Sequence, residues 1–229
     1  MATGNTFNAM VDQVALELGR RNDLKATVIP RAINDAIEIY RKERFRFNEL
    51  QPLSPFTFNT VAGTAFYGAA QDARIPSLYK IDYLNYLLGV TNEKMSRTTP
   101  ETVYLLLQGN QESGPPECWA WDGQTIVMYP RPDVAYPITV GGYMAVDGPT
   151  DLAGDTTNPW MNDAERLIRS RAKYEISLHV TRNQPMIDAM SPDEPGAGEK
   201  MGACYRYYNE LKGEANKIRG TSRVRAMRF

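Results

Sequence analysis

Residues 121–132 read WDGQTIVMYPRP. Trp121 precedes Asp122-Gly123, a pair suited to a tight hairpin turn because glycine reaches positive φ without a Cβ penalty. Thr125, Ile126, Val127, Met128 and Tyr129 then form an extended, strand-length run, and Pro130 and Pro132 withhold two backbone donors where a ladder would continue. The stretch predicts a short hairpin, with CWAW (118–121) as its first strand, that stops abruptly. Prolines at that place are expected to end the strands so that a compact sheet has no open edge for indiscriminate pairing. Segments of helical period flank this β signal on both sides, so its reading decides the fold.

On the N-terminal side, Phe7, Val11, Val14 and Leu18 recur on one helical stripe that ends near Gly19. Ile29, Ile33, Ala36, Ile37 and Tyr40 repeat the pattern after Thr27, a plausible cap, with Pro30 in the first turn. From Leu50 the period changes. FTFNTVAGTAFYGA (56–69) reads as a hairpin about Ala62-Gly63, and LYKIDYLNYLLGV (78–90) as a strand with polar residues on both faces. Thr98 and Glu101 have capping-box spacing for a short helix to Leu107, and YPITVGGYMAV (136–146) is a further strand. Beyond a loop at 147–159, Asn162 and Glu165 are placed to cap a long helix in which Ala164, Ile168, Ala172, Ile176 and Val180 step by four. SPDEPGAGEKMG (191–202) is a loop, after which Met201, Cys204, Tyr208, Leu211, Ala215 and Ile218 alternate three and four, a narrow helix–helix seam.

The expected class is therefore α+β. Residues 1–50 and 158–219 form a helical bundle of about four long helices. Residues 51–157 form an inserted antiparallel β-rich module with one short helix, and 220–229 a flexible C-terminal arm.

Composition narrows the class further. The 229 residues are 42% hydrophobic and 23% charged, ordinary for a chain that buries a core. No apolar run approaches the roughly 18 residues of a membrane helix, and MATGNTFNAMVDQ lacks the pattern of a secretory leader, so no membrane is expected as partner. Two cysteines, Cys118 and Cys204, cannot build a disulfide framework and fit folding in a reducing cytoplasm. The net charge of −1 conceals basic ends. Arg20 to Arg46 carries eight basic residues against four acids, and Lys217 to Phe229 five basic residues and no acid. Such ends suit contact with an acidic partner surface.

No catalytic, cofactor-binding or metal-binding set emerges, and no cofactor is expected. His179 is the single histidine and lies inside the long predicted helix; neither cysteine has a motif to pair with it. GAGEKMG (196–202) lacks the Lys-Ser/Thr of a phosphate loop and follows no strand. Glu43, Glu49, Glu101, Asp163 and Glu165 are the carboxylates available for acid–base work, and the spacing brings no two of them together. The tyrosines and tryptophans, among them Tyr83, Tyr86, Trp119 and Trp121, fall on strand and stripe positions and read first as packing.

The order of segments nevertheless resembles a known family. RAINDAIEIYRKERFRFNE (31–49), FTFNTVAGTAFY (56–67), IPSLYKIDYL (75–84), GPPECWAWDGQTIVMYPRPDVAYPITVGGY (114–143) and TNPWMND (157–163), followed by a closing helix pair, resemble the head-to-tail adaptor proteins of tailed bacteriophages. The likeness is carried by Gly114, Pro116, Trp119, Ile126, Tyr129, Pro130, Pro132, Tyr136, Ile138 and Val140, and spans about residues 5–215. YGAAQDARIP departs from it where an apolar-Pro pair would follow the tyrosine. The resemblance implies a structural virion protein rather than an enzyme. Such proteins form a ring, commonly dodecameric, beneath the portal; they extend the channel through which genomic DNA passes and present a platform to a tail or nozzle protein. It implies a place at the head–tail interface of the virion, with assembly in the host cytoplasm. Two alternatives stay open, a virion-associated peptidoglycan hydrolase and a neck or tail-tube ring protein further from the portal.

The tail GTSRVRAMRF (220–229) is the segment expected to dock. Arg223, Arg225 and Arg228 suit bidentate pairing with carboxylates or phosphates, and Phe229 adds an apolar anchor, so these four are the candidate portal-binding residues, with a DNA-contacting arm in the channel and a solvated end as the alternatives. Asp122 and Gly123 are the candidate turn of the β module.

Overall fold

The computed structural model describes residues 6–50, 56–109, 112–195 and 200–218. In chain order come α1 (Phe7–Glu17), α2 (Val28–Tyr40), β1 (Glu49–Leu50), β2 (Phe56–Asn59), β3 (Phe66–Tyr67), β4 (Leu78–Leu88), β5 (Thr91–Lys94) and β6 (Ser96–Arg97). There follow α3 (Pro100–Gly109), β7 (Cys118–Trp121), β8 (Ile126–Tyr129), β9 (Pro137–Met144), α4 (Pro159–Asn162), α5 (Glu165–Ile176), α6 (Gln184–Met190) and α7 (Ala203–Ile218). The fold is mixed α+β. It divides into two compact units, Asn48–Ala145 and the chain on either side of it.

The helical unit is built from the predicted stripes. α1 buries Phe7, Met10, Val11, Val14 and Ala15, and α2 buries Ile29, Ala32, Ile33, Ala36, Ile37 and Tyr40 against Leu167, Ile168, Ala172 and Ile176 of α5. Thr6 caps α1 by accepting from the Ala9 N–H, whereas Thr27 holds the cap position of α2 without a side-chain hydrogen bond. Phe45 meets Trp160 and Tyr208 edge-on, with both ring pairs 6.1 Å apart. α7 contributes Cys204 and Ala215, with Tyr208 and Leu211 packed on the same core; Met201 precedes the helix and is exposed.

Two expectations for this unit change. First, the module boundaries move from 50/51 and 157/158 to Phe47/Asn48 and Ala145/Val146. Residues 146–157 belong with the helices because they are sewn to them. Trp160 Nε1 donates to the Val146 carbonyl (2.9 Å), Asn158 Nδ2 to Asp147 (3.1 Å), and the Asn8 N–H to Leu152 (3.0 Å). Second, the long helix through Val180 is broken at both ends. Asn158, not Asn162, is the N-cap, of the short α4, while Ala164 sits at the cap position of α5. After Ile176 the chain makes a π-helical turn over Ser177–Thr181, and Arg182 adopts a left-handed φ of 50° before Asn183 caps α6. Pro185 enforces this break: it has no N–H for the Thr181 carbonyl and its ring would collide with that turn.

The β-rich unit has two sheets. The first runs β1-β9-β4-β5 with β2 also on β9, and the second β3-β8-β7-β6. One core joins both sheets, with Phe56, Phe58, Leu84, Ile138 and Val140 from the first and Tyr67, Trp119, Ile126 and Met128 from the second. On the opposite face of the second sheet Val103 and Leu107 of α3 cover Ala65, Ala120 and Val127. The unbroken apolar run Ile126-Val127-Met128 is thereby explained: β8 is covered on both faces.

Four details differ from expectation. Phe56–Tyr67 is not a hairpin, because β2 pairs with β9 and β3 with β8, in different sheets. The chain is turned across by Thr60, whose N–H and hydroxyl donate to the Tyr136 and Val134 carbonyls while its Oγ1 accepts from the Tyr136 N–H. The module is not wholly antiparallel, since β6 pairs with β7 in parallel. The prolines after Tyr129 end an inner strand flanked by β3 and β7, rather than guarding an edge. The helix at 100 is capped by Thr99, which accepts from the Thr102 N–H, not by Thr98.

Candidate functional site

The four proposed docking residues, Arg223, Arg225, Arg228 and Phe229, lie outside the described residues. The turn residues are within them. Asp122 Oδ1 accepts from the N–H groups of Gln124 (3.1 Å) and Thr125 (2.7 Å), and its own N–H donates to the Thr125 carbonyl. Gly123 stands between them at φ 102°, which an L side chain rarely adopts. Trp121 pairs with Ile126, so the loop spans four residues, longer than the tight turn anticipated.

Of the carboxylates singled out as acid–base candidates, Glu43 and Glu165 are engaged with cations. Glu43 accepts from Lys212 Nζ (2.5 Å) and from the Tyr208 hydroxyl (3.1 Å), which ties α7 to the end of α2. The Lys212 hydrogen bond outweighs partial burial and holds the Glu43 carboxyl below its ordinary range. Burial, with Glu43 beside it, pushes the Tyr208 phenol up to about 12. Glu165 binds Arg169 at 2.8 Å, and Glu17 receives both Arg169 and the buried Lys173, the latter at 2.6 Å. Glu101 lies in the first turn of α3, where a helix N-terminus favours it, and Asp163 follows the last residue of α4. Glu43, Glu165 and Glu17 are thus each balanced by a base, as in a structural charge network.

His179 is 68% exposed and pairs with Glu175 at 3.3 Å, itself bound to Arg171 at 2.5 Å. Burial pushes the Cys204 thiol up to about 12 and raises Cys118 as well, so neither is an activated nucleophile. Among the described residues no group of three or more His, Cys, Asp or Glu could hold a metal ion, and no helix is long and apolar enough to cross a membrane.

What the molecule does present is surface for contact. The β4–β5 hairpin ends in Leu87-Leu88-Gly89-Val90, with Leu87 and Leu88 nearly half exposed and Val90 99% exposed. On the helical unit a groove of about 330 Å³ is floored by Val28, Ala32, Ile176 and Val180 and rimmed by Arg31, Asp35, Glu175 and His179. Neither feature was legible beforehand: Leu87 and Leu88 read as strand interior, and Val180 as part of a continuous buried stripe. Compared with known proteins, the chain matches no protein-family model and no curated protein sequence.

Proposed function

We propose that the protein is a structural component of a virion, a head-to-tail adaptor that forms a ring under the portal, extends the DNA channel and offers the attachment platform for the tail. One observation carries the reading together with the sequence resemblance. A helical unit made from both ends of the chain interrupted by a self-contained β-rich unit, Asn48–Ala145, is the organisation expected of such a protein. In this reading α1, α2, α5 and α7 act as the bundle, copies associate into a closed, dodecameric ring through heterologous contacts, and the apolar hairpin tip at Val90 supplies one of the contact surfaces. Arg223, Arg225, Arg228 and Phe229 serve as an arm that docks on the portal, a tail or nozzle protein binds on the opposite side, and genomic DNA passes through. The engagement of Glu43 and Glu165 with cations favours a structural role over a hydrolase.

The test is binding to purified portal. The full chain binds, with affinity falling as salt rises, and sediments as a monomer until portal is present. Deleting residues 220–229 leaves the melting temperature unchanged and weakens binding by about tenfold or more, roughly 1.4 kcal/mol. A full chain that ignores the portal refutes the adaptor reading, and a truncated chain that binds as tightly as the full one refutes the arm.

A further inference from the structure

Among the described residues two apolar features lie uncovered, and their shapes are opposite. The first is convex. The β4–β5 hairpin closes on a two-residue turn, Gly89-Val90, since Leu88 pairs with Thr91. Gly89 takes the positive φ that such a turn asks of its first place, 62°. The second place, where a small polar residue is usual, holds Val90, which is 99% exposed. Leu87 and Leu88 stand behind it, both nearly half exposed. Aliphatic residues that break the turn rule and gain no burial point to a contact with another molecule. The second feature is concave. In a regular helix Val180 would follow Ile176 on one stripe and share its burial. The π-helical turn at Ser177–Thr181 breaks that stripe, so Ile176 is buried while Val180 is exposed. The result is the groove of about 330 Å³ floored by Val28, Ala32, Ile176 and Val180. Its rim acids are already engaged, Glu175 with Arg171 and His179, and Asp35 with Arg31 at 3.8 Å. Arg31 keeps 85% of its side chain exposed, so the charge this rim offers is a base.

We propose that the groove receives the β4–β5 hairpin tip of a second copy of this chain, with Val90 leading, Leu88 behind it and Glu93 of β5 beside Arg31. The groove has room for the Val90 and Leu88 side chains. Their burial supplies the attraction, and the Glu93–Arg31 pair fixes the orientation. Tip and groove are different surfaces, so each copy offers one and receives one. Such a contact is heterologous, the kind that joins copies head to tail. A hairpin tip covers far less than the roughly 1,200 Å² of a stable interface, so the contact is transient in free solution and persists where copies are held side by side. This names the partner surface of the hairpin tip in the ring and rests on the adaptor reading for its setting, but the contact itself needs no portal.

The experiment uses the full-length protein with no portal present. Asn92, exposed beside the tip, is replaced by the photoreactive p-benzoylphenylalanine in ¹⁴N protein. This is mixed with ¹⁵N protein lacking the probe and irradiated at high concentration. Mixed-isotope cross-links, which join two copies, map by mass spectrometry to residues 28–35 and 175–180. Val90→Asp in the probe chain or Val180→Asp in the receiving chain lowers their yield about tenfold or more. Both positions are exposed, and unchanged melting temperatures show that the variants are folded. Arg31→Glu in the receiving chain lowers the yield about two- to fivefold, and Glu93→Arg in the probe chain restores it. Deleting residues 220–229 from the receiving chain leaves it unchanged. The proposal is overturned if mixed-isotope cross-links are absent or fall on another surface, if Val90→Asp or Val180→Asp protein cross-links like the parent, or if Glu93→Arg fails to restore the Arg31→Glu loss. A rise in yield on deleting 220–229 overturns it too, because that segment would then be the occupant of the groove. Protein that cross-links as expected yet ignores purified portal keeps this contact and refutes the adaptor reading alone.

Discussion

Alanine at Gly142 and at Gly141 should have very different consequences, although the two residues are neighbours on β9. β4 carries irregularities between Leu78 and Lys80 and between Ile81 and Tyr83, and β9 answers the second with this glycine pair, Gly142 opposite Ile81 and Gly141 opposite Tyr83. A Cβ on Gly142 would stand 2.0 Å from the Lys80 carbonyl oxygen, and Gly142 has a φ of 154°. A Cβ on Gly141 would also meet its neighbour at 2.0 Å, but that neighbour is the Tyr83 ring, half-exposed and able to turn away. At Gly142 the backbone of a paired strand must move, so φ strain of about 1–3 kcal/mol adds to overpacking of about 1–3 kcal/mol, a total of about 2–6 kcal/mol. At Gly141 only a rotamer change is asked, about 1–2 kcal/mol. With a urea slope of about 2 kcal/mol/M, Gly142→Ala lowers the β-unit midpoint by about 1–3 M and Gly141→Ala by less than 1 M. Urea unfolding read by hydrogen exchange of peptides from 78–88 and 137–144, against 165–176 as internal control, measures each unit separately. In a double-mutant cycle Tyr83→Ala relieves Gly141→Ala and leaves Gly142→Ala as it was. Equal costs at the two glycines, or relief of both by Tyr83→Ala, would refute the reasoning.

Two further outcomes concern α7. The folded-state pKa of Glu43 is depressed, so its contribution is present above the unfolded carboxylate pKa and is lost as pH falls through the folded value; the helical unit should lose stability on acidification, and Glu43→Gln should flatten that part of the melting-temperature profile between pH 7 and 3. Cys204, with a thiol pKa of about 12, carries about 10⁻⁴ thiolate at pH 8, so alkylation followed by mass spectrometry should label it only as fast as α7 detaches, and urea should accelerate that labelling far more than a rise in pH to 9.

Periodicity was enough for the helices that bury a stripe, since Ile29, Ile33 and Ile37 or Phe7, Val11 and Val14 can meet a core in only one way. It failed where a local signal was overruled from a distance. Ala62-Gly63 does turn the chain, but the Thr60–Tyr136 bonds, made to a strand far along the sequence, decide which sheet receives each side of the turn. β4 hid its inward face because its irregularities space the buried residues Leu78, Ile81 and Leu84 by three instead of two.

The interleaving of the two units also has a consequence on the ribosome. β9 pairs with β1, β2 and β4, so every strand partner of the insert has been synthesised once β9 emerges. The helical unit has no such advantage: α1 and α2 leave the exit tunnel first, and the α5 residues that cover Ile29, Ile33 and Phe7 come only after the whole insert. At ~5–20 residues per second, synthesis of the roughly 100 intervening residues leaves those apolar faces uncovered for ~5–20 s. Only at the end of that interval can the β-rich unit close, tethered between two unfinished halves of its host, and until then the apolar faces of α1 and α2 are open to another chain. Fast closure of Asn48–Ala145 limits that exposure, because it brings the two ends of the insert together through Glu49–Tyr143 pairing and so hands α2 and α5 to one another as neighbours rather than as distant segments of chain.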